Sequence, residues 1–391
     1  MNWKETLPLA EMIQWRRHFH QYPELSNEEV ETSQYIYDVL STFPNIELSR
    51  PIENSVVATL KGSAPGKTVA LRADIDALPI HEEADVPFQS TKPGIMHACG
   101  HDAHTAILLG AAKVLSEMKE ELTGTVKFIF QPAEEVVTGG ASLLVEAGVI
   151  EDVDYIFGLH VAPTIPVGII GTKIGAVTAA ADSFEVTISG VGSHGSTPER
   201  AIDPILVGAE IVTNLNHIVS RNVSPLDNVV ISIGQFTSGN AHNVIPNSAT
   251  IKGTVRTNQP ETRKFVQKRI CEVIDYITKA YHATYGMNYE LGNSAVINDE
   301  EATTIVKKAA SEVVGEKGIL PFPPMMGGED FAAYTDVIKG SFMMLGVGTE
   351  EEGCGYMLHH PKFKINENCL SIGAQIEVQI ILEILGKQNS L

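Results

Sequence analysis

Between His97 and His104 the chain reads His97-Ala98-Cys99-Gly100-His101-Asp102-Ala103-His104, which sets one thiol and three imidazoles immediately before a segment of helical period. Cys99 and His101 stand two apart in what reads as a loop, where the backbone is not obliged to alternate and both side chains can face one cavity. Thiolate with imidazole suits zinc, and carboxylates added to the same site would also admit manganese or cobalt. A lone cysteine is otherwise a small buried hydrophobe, the reading given to Cys271, Cys354 and Cys369. His97 and His104 read equally as ligands or as groups that orient ligands or cap the helix.

A carboxylate pair, Glu134-Glu135, follows the apolar run Val126 to Phe130 and Pro132. Adjacent carboxylates project in different directions, so one can bind metal while its neighbour takes a proton from water and passes it to a leaving group, as metal-assisted hydrolysis requires. His160 closes the apolar stretch Ile156-Phe157-Gly158-Leu159, as a ligand or as a satisfied core histidine. Asp74 and Asp76 share a side if their strand continues and would orient ligand imidazoles; a turn at Asp76-Ala77-Leu78-Pro79 is the alternative. His194 and the pair His359-His360 complete the set of candidate imidazoles.

The elements that must position these residues follow from periodicity. Thr68 to Arg72, Thr125 to Phe130 and Tyr155 to Leu159 read as buried strands. A helix is predicted from about Asp102 to Met118, and Ser26 with Glu29 reads as a capping box for a helix ending near Leu40. The alternation predicts a mostly parallel, doubly wound sheet with helices, and Asp74, Asp76, Glu134, Glu135 and His160 all lie beyond carboxyl ends of strands, where open α/β sheets bind ligands. From Asp182 the order becomes strand (183–191), helix (204–219), strand (229–237), strand (249–257), helix (261–285), strand (289–295), a ferredoxin-like α+β unit. After Ile297 the α/β character returns, with a helix near 301–314, a strand near 341–346 and a helix near 370–385. The expected organisation is a discontinuous metal-binding catalytic domain, 1–181 and 296–391, with 182–295 inserted as a second domain.

At 391 residues and 43% hydrophobic content the chain can bury a large core. Its net charge of -20 opposes nucleic acid and anionic membrane surfaces, leaving small molecules as the expected partners. Four scattered cysteines form no disulfide framework. Met1 to Gln14, carrying Lys4, Glu5 and Glu11, lacks the apolar core of a signal peptide, and no apolar run reads as the roughly 18 residues needed to cross a bilayer. A cytoplasmic protein is expected.

The chain resembles the M20 metallopeptidase/amidohydrolase superfamily, in its aminoacylase-like branch, subfamily D. The resemblance rests on Arg16-Arg17-His18-Phe19-His20 with Pro23-Glu24, Arg72 to Pro79, Met96 to His104, Gln131-Pro132-Ala133-Glu134-Glu135, Gly158-Leu159-His160, Ser193-His194-Gly195, Asn243-Val244-Ile245-Pro246, Gly253 to Thr257, Gly327 to Phe331 and Leu358-His359-His360-Pro361. It implies two divalent metal ions (zinc, manganese or cobalt) held by Cys99, His101, Glu135, His160 and a C-terminal histidine, His359 with His360 as runner-up, and Glu134 as general base and acid. It implies that the inserted domain is a lid and a dimerisation domain, giving a homodimer or homotetramer. His194 and Asn243, from the same chain or from across a dimer, would polarise the scissile carbonyl, and Arg256 would clamp a substrate carboxylate. The expected activity is hydrolysis of the amide bond of N-acyl-L-amino acids by metal-activated water. Carboxypeptidase or dipeptidase action on small peptides is the alternative, a cysteine-nucleophile hydrolase using Cys99 is a second class, and an idle fold with a structural metal is a third.

Overall fold

The computed structural model describes residues 3–137 and 139–387, and the chain divides into two compact units. The first comprises residues up to Val177 with Val296–Pro323 and Asp330–Leu391; the second is Thr178–Ala295 with Pro324–Glu329. The first division therefore falls four residues earlier than the sequence suggests. The short run Pro324–Glu329 groups with the second unit, although nothing in its composition signals this.

The first unit is built on an eight-stranded sheet in the order Ile46–Ser49, Val56–Lys61, Thr125–Gln131, Thr68–Asp74, Tyr155–Ala162, Lys339–Gly346, Ile170–Gly171, Ile319–Leu320. Its four central strands, Thr125–Gln131, Thr68–Asp74, Tyr155–Ala162 and Lys339–Gly346, are mutually parallel. Val69, Leu71 and Ala73 join the core with the helices Leu9–Gln21, His101–Glu117, Glu300–Val314 and Asn368–Leu385, whereas Ala70 packs on the other side with Ala141, Leu144, Phe331 and Tyr334. Helices on both faces explain why these strands read as continuous apolar runs. Because Thr68–Asp74 lies between Thr125–Gln131 and Tyr155–Ala162, the carboxyl ends of all three open side by side.

Several local expectations need correction. The strand bearing His160 continues to Ala162, so His160 stands inside it. No capping box forms at Ser26 and Glu29: the helix is Val30–Ser41, its cap position is Glu29, and that carboxylate makes no cap hydrogen bond. The helix Asn368–Leu385 is apolar and long enough to cross a bilayer by composition, which the sequence reading missed; ten of its residues are buried in the first unit. The N-terminal helix Leu9–Gln21 and the strands Ile46–Ser49 and Val56–Lys61 were not foreseen either.

The second unit is a four-stranded antiparallel sheet in the order Val229–Ser238, Ser248–Thr257, Ala180–Ser189, Thr284–Glu290. Two helices, Pro204–His217 and Pro260–Ala280, bury Val207, Ile211, Val266 and Ile270 against Val186, Ile188, Ile251 and Val255. This is the ferredoxin-like arrangement. The second helix ends five residues before expected, because His282 adopts a left-handed conformation (φ +58°) that turns the chain into the strand Thr284–Glu290 instead of 289–295.

Candidate metal centre

Gly100 makes the thiol–imidazole pairing possible. Its φ of +89° breaks the chain between Cys99 and the helix beginning at His101, and a Cβ there would stand 2.4 Å from Val161 Cγ2. Cys99 Sγ lies 3.4 Å from His160 Nε2, and His101 joins the same cluster of donor atoms. His359 Nε2 lies 3.2 Å from Glu135 Oε1, which is 4.0 Å from His101 Nε2. Donor atoms of Cys99, Glu135 and His359 form a second cluster, and those of His101, Glu134 and Glu135 a third, each within 4.8 Å. Five of the expected ligands and the expected base thus meet in the first unit. His360 does not: it stacks on Tyr356, and its Nδ1 accepts the Lys362 N–H at 3.0 Å.

Hydrogen bonds sort the imidazoles. His101 Nδ1 donates to Asp76 (2.9 Å to the carbonyl oxygen, 3.1 Å to Oδ1), and His160 Nδ1 donates to the Val161 carbonyl at 2.9 Å. In its neutral form each ring would therefore offer an Nε2 lone pair, and His101 Nε2 is buried without a hydrogen-bond partner among the described residues. His104 spends both nitrogens: Nδ1 donates to Asp74 Oδ1 at 2.6 Å, and Nε2 accepts the Val161 N–H at 2.9 Å. His104 is thus held as a strut, although its donor atoms also cluster with those of Asp74 and His101. His97 is buried, and neither ring nitrogen has a hydrogen-bond partner among the described residues.

The acids around this centre are held by groups that the sequence reading assigned no role. Arg72, fully buried, donates to Gln131 Oε1 (2.8 Å), Asp74 Oδ2 (2.8 Å) and Asp330 Oδ1 (2.7 Å). A charged residue inside the strand Thr68–Asp74 was the available signal, since a buried guanidinium demands paired carboxylates. Asp102 accepts from Arg16 Nε (2.9 Å) and His20 Nδ1 (2.8 Å).

Burial opposes the charge of Asp74, but His101, His104 and Arg72 outweigh it and hold the carboxyl well below its usual range. Burial likewise opposes a charged His101, yet the Asp74 carboxylate lifts it well above its ordinary value. His97 and His104 are pushed down to about 4 chiefly by burial. Burial pushes the Cys99 thiol well above its usual range, so a free thiolate is disfavoured without a cation. Sulfur, imidazole and carboxylate donors, together with the orphaned His101 Nε2, fit divalent metal.

In the second unit, His194 and Asn243 meet on one two-stranded ribbon, where Val244 pairs with His194 and the Gly195 N–H donates to the Asn243 carbonyl at 2.8 Å. Ser196 N–H donates to His194 Nδ1 at 3.2 Å, which leaves Nε2 to carry the proton as an outward donor. Arg256 is elsewhere, near the far end of Ser248–Thr257, with Nη1 on Thr254 Oγ1 and the Val255 carbonyl. From Ser248, next to the ribbon, to Arg256 is about 26 Å of strand.

Peptidase family M20/M25/M40 matches residues 70–383, and the chain belongs to that family. It is a metal-dependent hydrolase. An N-acyl-L-amino acid amidohydrolase of Geobacillus stearothermophilus is 47% identical over 292 residues, 75% of this chain and 79% of that one. Thermostable carboxypeptidase 1 of Saccharolobus solfataricus is 37% identical, with 96% of each chain covered. Among solved structures, the Bacillus subtilis YXEP protein, described as a dinuclear metal-binding peptidase of the M20 family, superposes with TM-score 0.86 at 37% identity, covering 96% of this chain and 98% of that one.

Proposed function

We propose that this protein hydrolyses the amide bond of N-acyl-L-amino acids carrying acetyl, benzoyl or similar acyl groups. The observation that carries the reading is the clustering of Glu134 with His101 and Glu135 at the carboxyl edge of the sheet. Cys99, His101, Glu135, His160 and His359 would hold two divalent ions, and their overlapping donor clusters support two ions over one. Zinc suits the sulfur and nitrogen donors; manganese or cobalt suits the carboxylate side. Such ions lower the pKa of water and polarise a carbonyl. Glu134 takes the proton of the attacking water and returns it to the leaving amine. His194 Nε2–H and Asn243 are assigned to the substrate carbonyl, and Arg256 to its carboxylate.

Self-association through the second unit is part of the reading. Val229–Ser238 is an edge strand with Val230 and Phe236 exposed, and Ile205 and Leu206 are exposed on the neighbouring helix. The span between Arg256 and the His194–Asn243 ribbon exceeds a small acyl amino acid, which favours contributions from two copies in a homodimer or homotetramer. We assign the protein to the cytoplasm, in keeping with its four free cysteines.

Carboxypeptidase or dipeptidase action on short peptides is the second reading, favoured by the Saccharolobus relative. The deciding experiment strips the protein with chelator and assays N-acetyl, N-benzoyl and dipeptide substrates before and after zinc, manganese or cobalt is returned. Activity restored only by metal and strongest on N-acyl amino acids is expected. Full activity after stripping would overturn the mechanism in favour of a Cys99 nucleophile, and strongest turnover on peptides would favour the second reading.

A further inference from the structure

Ser26 and Glu29 have the spacing of a capping box, yet neither serves the helix that follows. Ser26 Oγ–H donates to Asp76 Oδ2 at 2.7 Å. Glu29 is fully buried, and its Oε1 accepts the backbone N–H of Ala133 at 2.7 Å, across 104 residues of sequence. Its Oε2 is 3.3 Å from the Asn54 Nδ2 donor. A carboxylate at a helix start ordinarily satisfies that helix's own N–H groups. Here it is used on the chain segment that delivers Glu134 and Glu135.

That segment needs holding. Ala133 has φ +56°, a left-handed conformation that residues with a Cβ rarely adopt, and it directly precedes Glu134. Its carbonyl accepts the Gly140 N–H at 3.1 Å. Position 140 must be glycine, because a Cβ there would stand 2.0 Å from the Pro132 carbonyl oxygen. With the carbonyl side fixed by Gly140, the N–H side is fixed by Glu29. Ala133 is 1% exposed, so loss of the Glu29 carboxylate would strand a buried donor at the residue that aims the base.

We propose that Glu29 is a positioning residue for Glu134, acting through the Ala133 N–H to hold the left-handed elbow from which the general base projects. The proposal rests on the reading of Glu134 as that base.

The test uses full-length E29A, E29D and E29Q loaded with zinc. It measures kcat, KM, bound metal, thermal midpoint and amide exchange of residues 133–136. E29A removes the acceptor, E29D draws it back by one methylene, and E29Q keeps an amide oxygen able to accept the same N–H. E29A and E29D are expected to lower kcat about 100-fold, since displacement of a catalytic group by an ångström has that scale of effect. KM and metal content should stay within about twofold, and exchange should quicken at 133–136 but not in Val30–Ser41. E29Q should keep kcat, KM, bound metal and exchange at 133–136 within a few-fold of wild type, with a lower thermal midpoint because its amide N–H faces the Asn54 Nδ2 donor.

Should E29A fail to fold, E29D and E29Q carry the comparison. Wild-type turnover in E29D overturns the proposal, and so does a loss of turnover that tracks lost metal or a lower thermal midpoint equally in E29Q. The exchange readout needs no substrate. If the wild-type enzyme hydrolyses no amide, the function assigned to Glu134 falls, and exchange at 133–136 alone decides the latch: faster in E29D upholds it, unchanged overturns it.

Discussion

Asp76 Oδ2 accepts the backbone N–H of Glu135 at 3.0 Å, while Oδ1 of the same carboxylate holds His101 Nδ1 at 3.1 Å. Two candidate metal ligands, from the helix start and from the loop after Thr125–Gln131, are thus registered by one carboxylate. Asp76→Asn presents an amide N–H to one of these donors in place of an acceptor. Loss of such an orienting partner costs about 10–100-fold in metal affinity. Competition against a fluorescent chelator measures it, and unchanged affinity would show that Asp76 does not set the geometry.

Glu134→Gln keeps volume and removes the proton acceptor. The expected outcome is a kcat lower by about 10²–10⁴-fold with metal content retained. Full turnover of this variant would remove Glu134 from the mechanism, whereas lost metal would mean that it is a ligand.

The part of the site that could be read from the sequence is the part encoded by close spacing. Cys99, His101, Glu134 and Glu135 lie in two short segments, and the apolar runs before them fix the sheet edge from which they project. What stayed hidden was long-range pairing. Nothing near Arg72 reveals that Asp330 lies across from it, 258 residues away. Ser26 and Glu29 satisfy a local rule so well that the local rule conceals their distant partners. Boundaries failed where one residue's backbone overrode periodicity, as at His282.

His97 and His104 make the metal-free protein acid-sensitive. Each is held at about 4 in the folded state against an ordinary 6.5, so between those values the unfolded chain binds protons that the folded chain refuses. This stabilisation is complete above pH 6.5 and is lost as pH falls toward 4, on the order of 3 kcal/mol per histidine. Urea midpoints of chelated protein from pH 7.5 to 4.5 should fall, and His97→Leu should flatten the slope. An identical slope in that variant would contradict the assignment.

His104→Gln and His101→Gln should separate strut from ligand. With both nitrogens of His104 engaged, its loss should leave metal stoichiometry intact while lowering affinity, whereas loss of His101, whose Nε2 has no hydrogen-bond partner among the described residues, should reduce the stoichiometry itself. Atomic absorption on dialysed samples gives the stoichiometry, and competition against a fluorescent chelator gives the affinity. Equal losses in the two variants would place His104 on the metal.

Glu377 sits 2% exposed in the helix Asn368–Leu385, and its Oε2 has no hydrogen-bond partner among the described residues. Burial pushes its carboxyl well above the usual range. The unfolded chain releases this proton near pH 4.5 and the folded chain holds it, so the group costs increasing stability as pH rises above 4.5. Glu377→Met replaces it with an apolar side chain of similar volume. That variant should be more stable at pH 8 by about 1–3 kcal/mol, the scale of an unsatisfied buried polar group, with a smaller gain at pH 5. Thermal midpoints at the two pH values test this: an unchanged or lower midpoint at pH 8 would mean that the carboxyl group contributes to the fold in a way its burial does not reveal.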